Sequence, residues 1–216
     1  MINPRIAFYV SGSAGRLSKI LSLNDSDLMS QIKLVFSDDS RNAFLKSDLD
    51  KFAIPFICKD FSEIEGPNKS LKLSDNILSY LNLHDIDYCF CFGDHILKGD
   101  LVDVYRNRII NFHPSLLPSF PGRKAIDQAI QAGACVLGNT AHFIDEGIDT
   151  GPIIMQSVTS VAVFNELGYE GILDQQIPML FTILSSIKKN ELKIVNNVVY
   201  IENGVYSRTS FFPETK

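Results

Sequence analysis

The chain of 216 residues has no tryptophan, only four cysteines and no long apolar segment. No window approaches about 18 uncharged apolar residues, the length that a membrane-spanning helix requires, so no membrane span is predicted. The start, MINPRIAFYVSG, lacks the basic region, apolar segment and cleavage site of a secretory signal. The cysteines contain no C-x-x-C pair, and Cys89 and Cys91 stand at strand spacing in an apolar run, which favours core positions over redox or metal roles. The sequence therefore predicts a cytoplasmic protein.

The sequence also lacks an excess of positive charge. Lysine and arginine number 20 against 25 acidic residues, which gives a net charge of −5 and a pI near 5.3. A nucleic-acid-binding protein normally carries a basic patch, so no nucleic-acid partner is predicted. An anionic small molecule would have to be held by local hydrogen-bond donors rather than by a general positive field.

Short apolar runs alternate with segments at helical spacing, a pattern typical of an α/β domain. After the apolar run Arg5 to Val10 come Ser11-Gly12-Ser13-Ala14-Gly15 and a predicted helix, so this turn can offer backbone N–H groups to an anion. As a motif G-x-x-G is weak, and the same residues would serve an ordinary βα turn. Further along, a helix is predicted over 167–189 with an interruption at Pro178, and IVNNVVYIENG predicts a β-hairpin turning at Asn196-Asn197.

Asn111 and His113 follow the apolar Ile109-Ile110, and Pro114 then ends the strand. Residues i and i+2 of a strand share a face, so a carboxamide and an imidazole project side by side. A second polar segment, Asp145-Glu146-Gly147-Ile148-Asp149-Thr150-Gly151-Pro152, lies between two strand-like runs and can fold over the strand end. We pair Asp149 with His113. Together with Asn111 they form a trio that suits a reaction in which an oxygen becomes negative and a proton leaves an attacking group.

These motifs resemble those of the folate-dependent formyltransferases. The resemblance rests on Asn111-Phe112-His113-Pro114-Ser115-Leu116-Leu117-Pro118, on Phe120-Pro121-Gly122, and on His142-Phe143 through Asp149-Thr150-Gly151-Pro152-Ile153-Ile154 with Gln156. It implies a single Rossmann-like domain over 1–216, with a mostly parallel sheet flanked by helices and a short C-terminal β-hairpin. We expect a Rossmann-like half over 1–108 that carries the glycine loop, a catalytic half over 109–190, and a hairpin and tail over 191–216.

The resemblance also implies the reaction and its participants. The formyl donor is 10-formyltetrahydrofolate, a co-substrate, and the acceptor is a small primary amine that is phosphorylated or nucleotide-linked. Asn111, His113 and Asp149 are the expected catalytic residues, with Asp149 raising the His113 pKa and accepting the amine proton. Backbone groups of Asp145, Glu146, Gly147 and Ile148 would bind the pterin against an apolar wall of Phe92 and Leu97. No metal is expected, and the question of whether the chain forms a homodimer is left open.

The expected acceptor-binding residues depart from the family pattern. The family's Ser-Gly-x-Gly-Ser-Asn loop, which holds the phosphate of the amine substrate, is here Ser11-Gly12-Ser13-Ala14-Gly15-Arg16, with a guanidinium in place of an amide. Gly93-Asp94-His95 replaces a segment that usually carries an arginine; a plain βα turn, with Asp94 near a helix N-terminus, is the alternative interpretation. The Glu-His pair that the family usually carries in its last long helix, where the glutamate contacts the amine substrate, is missing here. Asp174 is the expected substitute for that glutamate. His142 lies in a strand, where a structural histidine is more common than a catalytic one.

These departures lie on the amine side, so the expectation favours a nucleotide-linked amino sugar of surface polysaccharide synthesis. Glycinamide ribonucleotide of de novo purine biosynthesis is the alternative acceptor, and water, as in a formyltetrahydrofolate hydrolase, is the third. A nucleotide-binding oxidoreductase would explain only Gly12 and Gly15. That interpretation leaves Asn111, His113 and Asp149 unexplained. A non-catalytic binding module, which would bind nucleotide without folate turnover, is a further alternative.

Overall fold

The structure, a computed structural model, describes residues 2–206. Helices and strands alternate along this part of the chain, as predicted. The strands are β1 Ile6–Val10, β2 Ile32–Ser37, β3 Phe56–Cys58, β4 Tyr88–Phe92, β5 Ile109–His113, β6 Val136–Phe143, β7 Ile153–Ser160, β8 Leu192–Val195 and β9 Val198–Ile201. The α-helices are α1 Gly15–Ser22, α2 Ser26–Gln31, α3 Leu45–Asp50, α4 Lys69–Leu83, α5 Asp100–Val104, α6 Ala125–Gln131, α7 Val161–Asp174 and α8 Gln176–Lys188, and two 3₁₀ helices cover Ser40–Phe44 and Phe61–Glu63.

The main sheet has seven strands in the order β3-β2-β1-β4-β5-β6-β7. The pairs β1–β2, β2–β3, β1–β4 and β4–β5 are parallel, whereas β6 and β7 are antiparallel. The predicted Rossmann-like class is therefore confirmed. Strand order reverses at β1, which lies between β2 and β4, and open α/β sheets bind ligands beyond the carboxyl ends of the strands at such a point.

Two compact units divide the described residues. The nucleotide-fold unit, our name for Asn3–Asn111 with Phe143–Gly147, contains β1 to β4 and helices α1 to α5. The second, which we call the histidine unit, contains Phe112–His142, the chain from Ile148 to Tyr206, and Ile2. The expected boundaries at residues 108 and 190 within one domain stay predictions.

Apolar burial organises the nucleotide-fold unit. All five residues of β1 are buried, and Phe8 packs against Phe90 with ring centroids 5.7 Å apart. Cys89 and Cys91 are buried beside them, which confirms the core interpretation. Burial raises the pKa of the Cys91 thiol to about 12, because a thiolate would be poorly solvated there.

In the histidine unit, β6 and β7 pair closely and helices pack on them. Gly138 of β6 has no room for a side chain, since a Cβ there would lie 2.1 Å from the Ser157 carbonyl oxygen. A small apolar cluster joins Ile126 and Ala129 of α6 to Leu137 and Ile172. The C-terminal hairpin is confirmed: β8 pairs with β9, and Asn196 and Asn197 both have positive φ, as a two-residue hairpin turn requires.

Of two sequence predictions about helices, one is displaced by three residues in the structure and one was wrong. The predicted interruption of 167–189 falls at Gln175, between α7 and α8, three residues before Pro178. Pro178 lies in the first turn of α8, where its missing N–H has no helical partner to lose. A second irregularity, which the sequence did not predict, is at Gly168, whose φ of 66° and ψ of −161° kink α7. Asp94 lies near no helix N-terminus, because α5 begins only at Asp100.

No helix among residues 2–206 is long and apolar enough to cross a membrane.

Candidate active site

Strand β5 carries Asn111 and His113 to its carboxyl end. Ile109 and Ile110 are buried and anchor the strand, while Asn111 is partly buried and His113 is only 6% exposed. The chain turns immediately, and the Ser115 N–H donates to the His113 carbonyl oxygen at 2.9 Å. Alternation along the strand places the Asn111 and His113 side chains on one face.

Both ring nitrogens of His113 face acceptors. Nε2 lies 2.9 Å from the Phe120 carbonyl oxygen, which can only accept, so Nε2 carries a proton. Nδ1 lies 3.3 Å from Oδ2 of Asp149. An imidazolium satisfies both contacts, since each nitrogen then donates to an oxygen.

Asp149 is the centre of this cluster. Its backbone is left-handed, with φ 55°, which aspartate tolerates better than most residues, and the turn directs its carboxylate inward. Besides His113, the carboxylate accepts from the Gly122 N–H at 2.7 Å and lies 3.6 Å from Nε2 of His142. Burial opposes ionisation, but the bonds from His142 and Gly122 and the positive charge of His113 outweigh it and lower the Asp149 pKa. Asp149 is therefore a carboxylate at neutral pH.

His142 also belongs to this cluster, although the sequence analysis assigned it no role. It is 2% exposed on β6 and shares Asp149 with His113. The available signal was its spacing of seven residues from Asp149 across a glycine-rich turn, which brings the end of one strand near the start of the next.

A hydrogen-bond network fixes the loop that follows His113. Thr140 Oγ1 donates to the Ser115 carbonyl oxygen at 2.6 Å and accepts from the Leu117 N–H at 3.0 Å. Gln156 donates to Thr140 Oγ1 and to the Leu117 carbonyl oxygen, both at 2.9 Å. This loop supplies the Phe120 oxygen and the Gly122 N–H, so β6 and β7 hold the partners of His113 and Asp149 in place.

Below the cluster, two buried amides connect β6 to the start of α8. Asn139 donates to the Ile172 carbonyl oxygen at 2.9 Å and accepts from Gln176 at 2.7 Å. Asp174, the expected substitute for the family glutamate, is the last residue of α7 and is half-buried. In the sequence it lies between Ile172 and Gln176, the two residues that bond to Asn139.

The residues expected to bind phosphate form a tight turn in the nucleotide-fold unit. Gly12 and Ala14 are left-handed, with φ 60° and 48°, and Gly15 begins α1. Ser13 is exposed, whereas Ala14 is buried. Arg16 places its guanidinium 4.6 Å from the centre of the Phe92 ring, a cation–π contact.

The expected pterin-binding residues fall into two groups. Phe92 and Leu97 are buried, at 3% and 4% exposure, and Phe92 packs on Phe8. The loop residues are accessible: Glu146 and Gly147 are exposed, Ile148 is 56% exposed, and Asp145 accepts from the Gly147 N–H at 3.1 Å. The loop therefore offers backbone groups to a ligand more readily than Phe92 and Leu97 offer an apolar wall.

Gly93, Asp94 and His95 follow β4 in the nucleotide-fold unit. A Cβ on Gly93 would overlap the Tyr9 ring at 2.2 Å, so this position needs glycine. The Asp94 N–H donates to Ser11 Oγ at 3.1 Å, which ties this turn to the end of β1. His95 contacts Asp38, a residue that the sequence analysis did not select, at 2.7 Å.

This fold and this cluster together define an α/β enzyme with a histidine–carboxylate centre at the carboxyl end of its sheet. The chain belongs to the formyl transferase family, whose model matches residues 4–170. Family membership makes 10-formyltetrahydrofolate the formyl donor, as expected. Within residues 2–206, no group of three or more His, Cys, Asp or Glu side chains is arranged to hold a metal ion.

Individual relatives agree with this assignment. The chain is 34% identical to phosphoribosylglycinamide formyltransferase of Bacillus subtilis over 158 residues, which cover 73% of this chain and 80% of the relative. The solved structure of glycinamide ribonucleotide transformylase 1 from Symbiobacterium toebii superposes with a TM-score of 0.79 at 27% identity, over 92% of this chain and 93% of that one. A formyltetrahydrofolate deformylase from Pseudomonas syringae shares the fold, with a TM-score of 0.76 at 24% identity, over 93% of this chain and 66% of that one.

Proposed function

We propose that this protein transfers the formyl group of 10-formyltetrahydrofolate to the primary amine of phosphoribosylglycinamide. The supporting observation is the buried His113–Asp149 pair, in a chain 34% identical to a protein named for that reaction. The comparisons thus favour the alternative acceptor of the sequence analysis. They give no support to the nucleotide-linked amino sugar that it preferred.

In the proposed reaction the amine nitrogen attacks the formyl carbon, and the formyl oxygen takes the electron pair of the broken C=O π bond. The tetrahedral intermediate then loses the amine proton. The oxyanion then re-forms the C=O bond as the bond from carbon to N10 breaks, and N10 takes up the proton that the amine released and leaves as tetrahydrofolate. Asn111 donates from its amide to the oxyanion, since a neutral amide can stabilise negative charge that develops there.

His113 is the second proposed donor. Its Nε2–H now bonds to the Phe120 carbonyl oxygen, and an oxyanion is a stronger acceptor than a neutral carbonyl, so the developing charge would draw this N–H away. Asp149 holds the opposite ring nitrogen. Because its pKa is lowered, Asp149 is suited to stabilising the imidazolium and to taking the amine proton only transiently.

The decisive measurement is deformylation of the folate donor, followed by absorbance, with three reaction mixtures run in parallel. One contains phosphoribosylglycinamide, one a nucleotide-linked 4-amino sugar, and one no amine. We expect turnover only with phosphoribosylglycinamide. Turnover with the sugar alone would contradict the proposed acceptor, and equal turnover without any amine would identify a hydrolase.

The catalytic roles are tested by substitution in the same assay. His113→Ala and Asn111→Ala should each lower kcat about 100- to 1000-fold, the usual loss for one oxyanion donor. His84→Ala is the matched control, because His84 lies at the end of α4 and is not among the side chains of the His113–Asp149–His142 cluster. Near wild-type turnover in folded His113→Ala would refute the assigned role.

A further inference from the structure

The turn Phe120-Pro121-Gly122 bonds to both members of the His113–Asp149 pair. The Phe120 carbonyl oxygen accepts from Nε2 of His113 at 2.9 Å, and the Gly122 N–H donates to Oδ2 of Asp149 at 2.7 Å. All of these residues belong to the histidine unit. A displacement of this turn would therefore move one partner of the imidazole and one partner of the carboxylate together.

The backbone of this turn is left-handed at both ends. Phe120 has φ 56° and Gly122 has φ 78°. Glycine adopts a positive φ freely, whereas a residue as bulky as phenylalanine rarely does, because its Cβ crowds the backbone. Such a conformation persists only where the surrounding structure holds it. Contacts of Phe120 outside its own backbone must therefore keep the turn in this shape.

The Phe120 side chain makes those contacts. Its ring is partly buried and packs on the small apolar cluster that α6, β6 and α7 share, formed by Ile126, Ala129, Leu137 and Ile172. Removing an aromatic ring from water favours this position of the turn. The polar network of Thr140 holds the preceding loop at Ser115 and Leu117, so the ring is a separate, apolar attachment.

We propose that Phe120 is a positioning residue for formyl transfer. Its ring, seated on the apolar cluster, holds the turn in its left-handed conformation and thereby fixes His113 and Asp149 relative to each other. The inference rests on the proposed function, which gives those two side chains their catalytic roles. Because Phe120 acts through His113 and Asp149, its loss changes the rate of the chemical step more than it changes substrate binding.

Two substitutions separate the ring from the backbone strain. Phe120→Gly removes the ring and relieves the strain together, since glycine tolerates a positive φ. It should lower kcat about 10- to 100-fold through misplacement of the catalytic pair, with less than about twofold change in the KM of either substrate. Phe120→Leu keeps an apolar side chain on the cluster and should retain most of kcat. Wild-type kcat in folded Phe120→Gly would overturn the inference.

Phe164 provides the matched control. Its ring is also partly buried and packs on the same apolar cluster, but it belongs to α7 and not to the turn. Phe164→Ala should therefore lower the free energy of unfolding and leave kcat within about twofold of wild type, because additivity holds for sites without shared partners. An equal loss of kcat in Phe164→Ala and Phe120→Gly would show a general effect of the cluster and would overturn the positioning role.

Hydrogen exchange of the Gly122 amide, followed by NMR, tests the inference without a substrate. If the ring holds the turn on the cluster, the two open together, so in wild type Gly122 should be protected within about tenfold of Ala129 in α6. Phe120→Gly should lower the protection of Gly122 more than that of Ala129. Equal Gly122 exchange in wild type and Phe120→Gly would overturn the inference and leave the proposed function intact. Failure of wild type to use phosphoribosylglycinamide would instead overturn the proposed function, while the exchange data would still decide whether Phe120 holds the turn.

Discussion

Asp149 shows how one carboxylate organises the candidate active site. It accepts from a backbone N–H and lies within ion-pair distance of two histidines, although it is largely buried. A buried carboxylate without such partners would hold its proton at neutral pH. Here the partners reverse that preference. The negative charge that keeps His113 and His142 oriented is therefore present throughout the physiological range.

The lowered Asp149 pKa predicts a pH-dependent contribution to stability. A carboxyl whose pKa falls on folding stabilises the folded protein at pH values above its unfolded pKa, which is about 3.9 for aspartate. That contribution is lost as the pH falls through the lower pKa of the folded state. The free energy of unfolding of wild type should therefore fall relative to Asp149→Asn as pH decreases below about 4. Denaturant titrations of both proteins from pH 7 to pH 3 measure this difference. A difference that stays constant with pH would show that the folded pKa is not lowered.

Thr140 should be as sensitive to substitution as the residues it supports. Thr140→Val keeps the shape but leaves the Leu117 N–H without its acceptor and removes one acceptor from Gln156, in a buried site. We expect a loss of about 2 to 3 kcal/mol in unfolding free energy and a drop in kcat, since the loop holds the partners of His113. Thr140→Ser retains the hydroxyl and should lose less than about 1 kcal/mol. Similar stabilities of the two variants would mean that the network contributes little.

Side-chain contacts between residues far apart in the chain could not be predicted from the sequence. Asn111, His113 and Asp149 were selected because two of them share a strand and the third lies in a motif resembling a known family. Tyr9 and Asp38 are 29 positions apart, and Asp38 and His95 are 57 apart. Only the strand order β2-β1-β4 brings them together, and the spacing of residues contains no signal for that order.

The elements themselves were predictable where the apolar pattern is strong. Strands β1, β2, β4 and β5 coincide with apolar runs, and α4 coincides with the regular spacing of Leu73, Ile77 and Leu81. Helix α2 has only six residues, too few to show a helical period, and it was missed, whereas the helix expected near Asp94 is the five-residue α5, which begins at Asp100. The boundary between α7 and α8 was predicted within three residues from Pro178, but the kink at Gly168 was not predicted, because the sequence does not show that this glycine takes an extended, positive-φ conformation.

The kink in α7 depends on glycine. At φ 66° and ψ −161°, Gly168 adopts a conformation that is almost closed to other residues, and no atom lies within 4 Å of an added Cβ. Gly168→Ala should therefore lose about 1 to 3 kcal/mol of stability through backbone strain alone. Ala162→Gly, in the first turn of the same helix, is a suitable comparison that changes one methyl group without that strain. Thermal or denaturant unfolding measures both, and an unchanged Gly168→Ala protein would show that the kink is not required.

Across the whole molecule, burial is uneven in a way that hydrogen exchange can detect. Every residue of β1 is fully buried, whereas β8 and β9 form a separate two-stranded sheet with Val195, Val198 and Tyr200 about half exposed. The β1 amides should exchange only through global unfolding, and the hairpin amides through local opening with lower protection. Native-state exchange followed by mass spectrometry measures both. Equal protection of the hairpin and β1 would show that the hairpin opens only with the rest of the fold.

The buried thiols of β4 provide a natural reporter of unfolding. Cys135 is exposed and Cys58 is partly buried, whereas Cys89 and Cys91 are enclosed, and burial keeps the Cys91 thiol protonated. Thiolates, not thiols, react with alkylating reagents. A brief pulse of reagent therefore divides the cysteines into a surface class that reacts in the native protein and an interior class that reacts only when the sheet opens. The rate at which the interior class becomes labelled would time the opening of the central sheet without an engineered probe.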